Sequence, residues 1–366
     1  MTATAAQHAP GRPSVVREFL ASVMTIMVKE LRSRMRGRRA FVVLTVYLGL
    51  LATIAYGVYL AVAPLARNSV AQGFGGGEFQ AANVSSLIGM AIFSVLSILQ
   101  IVLVSVIAPA FTAGQISLER EKQTLDLLVT TPLRPGAIVI GKLATALAFV
   151  VLMILAAIPI SGLVLMYGGA QVMDIVRQQV VLLATAIGFG SVGIFASALM
   201  KRTQSATVVT YCAVIGAILG SAMLFSFWQS ISRVDDPLGL RPNGGAPEQV
   251  RFVNPMVAML DVVANVEPPG GTQLTRPLYQ IFGDDLTGGW IEPDAAFGRE
   301  DELLPAPLID TRSSGYWWPR VSITMLGMAA LLTLGAMRLV VPTGLQWWPR
   351  ARRTPTDTAI AEGDPR

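Results

Sequence analysis

Six stretches of this chain are apolar for about twenty residues or more, the length a helix needs to cross a hydrocarbon core of roughly 30 Å. They are residues 40–63, 86–111, 143–166, 180–200, 206–227 and 321–341; the first five carry no charged side chain and the sixth carries only Arg338. Only 14% of the residues are charged, against about 25% in soluble domains, and the mean hydropathy is +0.57. The expected fold is therefore an all-α integral membrane protein with six transmembrane helices.

Taken in order, residues 1–13 read as a disordered tail. In 14–39 an apolar stripe of Val16, Phe19, Leu20, Val23, Met27 and Leu31 opposes Glu18, Ser22, Thr25, Lys29 and Arg32. That predicts an amphipathic helix lying in the membrane interface and ending in a basic cluster. Residues 40–228 hold five spans, the first too long for a signal-peptide core. Pro159 is expected to kink the third span, because proline removes a helical donor. Residues 229–318 contain ten Pro and ten Gly and form a long extracytoplasmic loop before the last span, 319–342. Within it, Asn254 followed by Pro255 starts a helix, which is either laid on the outer surface of the spans or part of a small core within the loop. Tyr316, Trp317 and Trp318 read as an aromatic belt before the sixth span, and Trp347 and Trp348 as another after it. Residues 343–366 read as a cytoplasmic tail.

With both termini in the cytoplasm, 19 of the 28 Lys and Arg fall on that side, and the two short outer loops hold only Arg67 and Arg177. The net charge of +5 follows this distribution and does not call for a nucleic-acid partner. The chain is expected in the cytoplasmic membrane as a multi-pass protein.

Several chemistries are excluded. The single cysteine, Cys212, and single histidine, His8, cannot build a disulfide framework, a metal site or a catalytic triad. Gly136–Leu143, GAIVIGKL, imitates a phosphate-binding loop, but Leu143 stands where the Mg²⁺-binding hydroxyl belongs, and the segment runs into an apolar span. Lys142 reads instead as a snorkelling side chain at a span end. The spans carry no line of buried carboxylates of the sort a proton- or sodium-driven carrier uses.

The best-punctuated segment is Gly114–Lys142, lying in a cytoplasmic loop, 113–136, between the second and third spans. Glu119-Arg120-Glu121-Lys122 precedes Thr124, Leu125, Leu127 and Leu128, and Pro132 stops the pattern. A short helix with a charged first half and an apolar second half suits docking, the apolar part entering a groove and the charges fixing register; on the residues alone an ordinary solvated loop is equally open. The pattern of Glu119, Glu121, Thr124 to Leu128, Pro132, Leu133, Ile138, Gly141 and Lys142 resembles the cytoplasmic loop of ABC type-2 permeases, the membrane subunits of ABC-type exporters. That resemblance implies a coupling helix through which a cytoplasmic ABC ATPase drives the spans, with Glu119, Arg120, Glu121, Leu125, Asp126 and Leu128 as its contact residues. It also implies that ATP and Mg²⁺ are bound by the ATPase and no cofactor by this chain, and that a second permease subunit, identical or related, completes the transporter.

Ser94, Ser97, Gln100 and Ser105 share one face of the second span and either line a pathway or hydrogen-bond in helix packing. Ala186, Gly190, Gly193 and Ser197 make a small-residue stripe in the fourth span, and Gly216 and Gly220 a GxxxG in the fifth. Both predict close packing, within the subunit or across a dimer. The alternative function is a membrane-anchored sensor or accessory protein whose loop 229–318 binds a ligand. A membrane enzyme is the weakest reading, since that loop holds carboxylates but neither histidine nor cysteine.

Overall fold

The computed structural model of the chain describes residues 23–25, 27–28, 38–72, 78–123, 135–235, 248–266, 275–282 and 317–340. Among the described residues there is no strand, and six helices are long and apolar enough to cross a membrane. Span 1 is α1 (Arg38–Gln72) and span 2 is α2 (Glu78–Thr112). A short helix, α3 (Ser117–Glu121), follows. Span 3 is α4 (Pro135–Ala156) and α5 (Ile158–Tyr167), and span 4 is α6 (Val172–Leu199). Span 5 is α7 (Thr203–Ile215), a π-helical turn (Gly216–Gly220) and α8 (Ser221–Asp235). A 3-10 helix (Glu248–Val253), α9 (Pro255–Ala264) and α10 (Arg276–Phe282) precede span 6, α11 (Trp317–Val340).

Span 3 is divided where the sequence places its proline. Pro159 occupies the first turn of α5, Ala157 is the turn between the halves, and Ile160 N donates to Ala157 O at 3.0 Å. The expected interfacial helix over 14–39 falls mostly outside the described residues; within it 23–25 and 27–28 are helical and Arg38 opens α1.

Span 4 is the axis of the bundle. Of its most apolar window 72% is buried, against 11% for span 1 and 22% for span 5. It packs on α2, α4, α7 and α11. Its small residues permit this. A Cβ on Gly190 would meet Leu147 Cδ2 at 2.7 Å, and one on Gly193 would collide with Thr112. The expected stripe is thus a packing seam within the subunit. The Gly216–Gly220 pair differs: among the described residues nothing lies within 4 Å of a Cβ added at either.

Two ends of the bundle are distinguished by the side chains that close them. At one, here the Asp261 end, the α5–α6 turn uses Gly168 and Gly169 at φ 78° and 90°, the left-handed region that glycine enters without strain. Asp174 Oδ2 accepts from Gln171 N at 2.9 Å and so closes the start of α6. Here also lies the largest departure from expectation. Every residue of α9 is buried, packed between α11, α2 and α6. It neither rests on the surface of the spans nor forms a separate core in the loop. Asn254 explains its start, Oδ1 accepting from Met256 N at 3.0 Å. Asp261 explains its attachment, because Oδ2 accepts from Trp317 N and Trp318 N, both at 3.0 Å, and thereby caps span 6. Trp317 is accordingly no belt residue. It is buried, with the Arg251 guanidinium 4.1 Å from its ring centroid.

Candidate functional site

The opposite end is closed around α3. Its first residues have no side-chain cap of their own. Ser197, one turn from the end of α6, supplies one: its Oγ accepts from Ile116 N at 2.8 Å and Ser117 N at 2.9 Å. The small residue that lets α6 pack closely here also satisfies two helix-start donors.

Three consecutive side chains then reach three different elements. Glu119 accepts from Lys142 Nζ of α4 at 2.5 Å. Arg120 Nη1 donates to Met200 O, at the end of α6, at 3.2 Å. Glu121 Oε1 accepts from Thr203 N at 2.8 Å and its Oε2 from Thr203 Oγ1 at 3.0 Å, at the start of α7. Thr203 Oγ1 also accepts from Ser117 Oγ at 3.4 Å. A five-residue helix continuing from span 2 is thereby fastened to spans 3, 4 and 5.

The electrostatics of the two glutamates differ. Lys142 is 3% exposed and lies inside the junction, so it does not snorkel to water as its sequence position suggests; Glu119 reaches in to it. Glu121 is exposed, and its carboxylate is held by the backbone and hydroxyl bonds from Thr203.

Of the expected docking helix over Glu119–Leu128 the described residues are Glu119–Gln123: α3 ends at Glu121, Lys122 N still bonds Leu118 O, and Gln123 turns to φ 55°. Leu125, Asp126 and Leu128 lie outside the described residues. The structure instead exposes Leu118, Glu121 and Lys122 on one side of α3. Leu118 is a contact candidate that the sequence reading missed. Its only signal is its spacing of three and four residues from Glu121 and Lys122.

The polar residues of span 2 lie inside the bundle. Ser94, Ser97, Gln100 and Ser105 are all buried. Ser94 Oγ returns to Met90 O at 2.8 Å, and Gln100 Oε1 accepts from Gln178 Nε2 of span 4 at 3.0 Å. Ser94 and Gln100 thus take part in hydrogen bonds of the packed helices. Gln178 was not singled out from sequence, because a lone glutamine near a span start has no marker for its partner. No group of three or more His, Cys, Asp or Glu among the described residues could hold a metal ion.

Six apolar helices with a polar junction at one end and an inserted helix at the other define a multi-pass helical membrane protein. The model of the ABC-2 family transporter protein matches residues 24–345, and the chain belongs to that family. It is therefore a membrane permease component of an ABC transporter, in which ATP is used by a partner ATPase. Comparison with curated proteins finds no match.

Proposed function

We propose that this chain is the permease subunit of an exporter in the cytoplasmic membrane, with both termini and the α3 end in the cytoplasm. A separate ATPase docks on the segment 113–136, with Leu118 and Lys122 on one side of α3 and Leu125, Asp126 and Leu128 as its further contacts. Two permease subunits pair to form the pathway. The observation that carries this reading is α3 itself, a short helix bonded to the ends of three spans beyond the one it continues. Such a helix passes a push at its surface into most of the bundle. The sensor reading loses its basis in the described part of the loop, since α9 is packed among the spans rather than standing as a ligand-binding module.

Co-expression with candidate ATP-binding-cassette subunits, followed by affinity capture, tests this. One of them is retained by the unmodified chain. Leu125→Asp with Leu128→Asp, or Leu118→Asp alone, lowers retention about tenfold or more, as removing an apolar anchor does at an interface. Full retention and transport in the Leu125/Leu128 variant would remove the docking role.

A further inference from the structure

We propose that Glu119 and Glu121 are positioning residues that join the docking segment to spans 3 and 5, so that displacement of α3 displaces both spans. They are not contacts for the ATPase. The inference rests on the permease reading above and assigns these two residues a task different from the one their family pattern implies.

Residues two apart on a helix point about 200° away from each other. Glu119 and Glu121 therefore cannot share one docking face, and they diverge to α4 and α7. Each bond is of a kind that resists slipping. Lys142 is buried, so separating it from Glu119 leaves an ammonium group away from water. Span 5 begins at Thr203, and its N-cap residue, Arg202, makes no side-chain cap bond. Glu121 supplies the missing acceptor from 82 residues earlier in the chain. A carboxylate on the first N–H groups of a helix is held by hydrogen bonding and by the helix dipole together. The two oxygens of Glu121 take the N–H and the hydroxyl of one residue, which fixes direction as well as distance. Glu121 is exposed beside Leu118 and Lys122, but both of its oxygens are engaged by Thr203, so Leu118 and Lys122 are the exposed side chains of this side left to a partner.

Cys212 makes this testable. It is the only cysteine in the chain and lies exposed on α7, in the same helix as Thr203. The full chain, labelled with bimane at Cys212, is reconstituted in lipid nanodiscs with the ATPase it retains, and bimane emission is read before and after trapping with ATP and vanadate. In the unmodified complex the emission shifts. Glu121→Ala retains the ATPase within about twofold but loses about two-thirds or more of the shift; Glu119→Lys loses it similarly, and Glu119→Lys with Lys142→Glu restores at least about half, as a direct pair requires. The inference is overturned if the unmodified complex shows no shift, if the variants keep it, or if they lose the ATPase about tenfold and the charge exchange does not restore it. Glu121 is exposed, so its variant decides the matter even where Glu119→Lys fails to fold. Failure of the unmodified chain to retain any ATPase overturns the permease reading instead.

Discussion

Lys142 sits at a span end in sequence, yet its ammonium group is inside the protein because Glu119 turns inward to meet it. Removing one partner of such a pair costs more than removing both, since the buried charge that remains has lost an ion-pair partner and keeps its desolvation penalty. Glu119→Ala should therefore lower stability by about 3 kcal/mol. Glu119→Leu combined with Lys142→Met should cost less than the sum of the single changes. Thermal unfolding of the four proteins in one detergent, read as a double-mutant cycle, gives the coupling directly; additive costs would mean that the two side chains do not stabilise each other. This residue also marks a limit of reading sequence. Leu143 in place of the Mg²⁺-binding hydroxyl and the apolar run after it are enough to reject a phosphate-binding loop. The carboxylate that pairs with Lys142 lies 23 residues earlier, in another element, and no local period connects the two.

Among the elements, the spans were legible and the inserted helix was not. A run without charge has one stable placement in lipid, so the six long helices follow from composition alone. Pro159 likewise marks the break in span 3, because the donor that proline lacks is needed there. α9 carries too short an apolar pattern to announce a membrane location, and Asp261 in its middle argues for water. Burial becomes acceptable because that carboxylate takes the first N–H groups of span 6. Asp261→Ala leaves both donors without this acceptor in a buried site and should cost about 2–4 kcal/mol. Asp261→Asn keeps an acceptor and should cost about half that. Melting temperatures measured by fluorescence-detected gel filtration decide this, and equal costs for the two substitutions would show that capping is not what the residue contributes. Asn254 makes a parallel link on the other side of α9, donating to Ile218 O in the π-helical turn of span 5 and to Ser221 Oγ, both at 3.0 Å. A π turn shifts the helical hydrogen-bond partners by one residue, and here the shifted region meets a side-chain donor.

At the scale of the whole molecule, burial is uneven. Span 4 is enclosed, while span 5 presents Val208, Ile215, Leu219, Met223 and Phe227 on its exposed surface, with Gly216 and Gly220 open beside them. Under the proposed pairing of two permease subunits, these glycines allow close approach of a second copy. Among the described residues a Cβ at Gly216 or Gly220 meets nothing within 4 Å, so in Gly216→Leu with Gly220→Leu the fold should persist with a stability change of no more than about 1 kcal/mol, chiefly from helix propensity. Mass photometry of nanodisc samples should show a shift from two copies toward one. An unchanged copy number would place the pairing surface elsewhere. The inserted helix has a further consequence, for the order in which the protein is built. The faces of spans 2 and 4 that α9 covers are made before residues 255–264 emerge, and span 6, which packs on both α6 and α9, is made last. During synthesis those faces must be held by lipid or by the insertion machinery, and the interior of the bundle is sealed only when the final helix arrives.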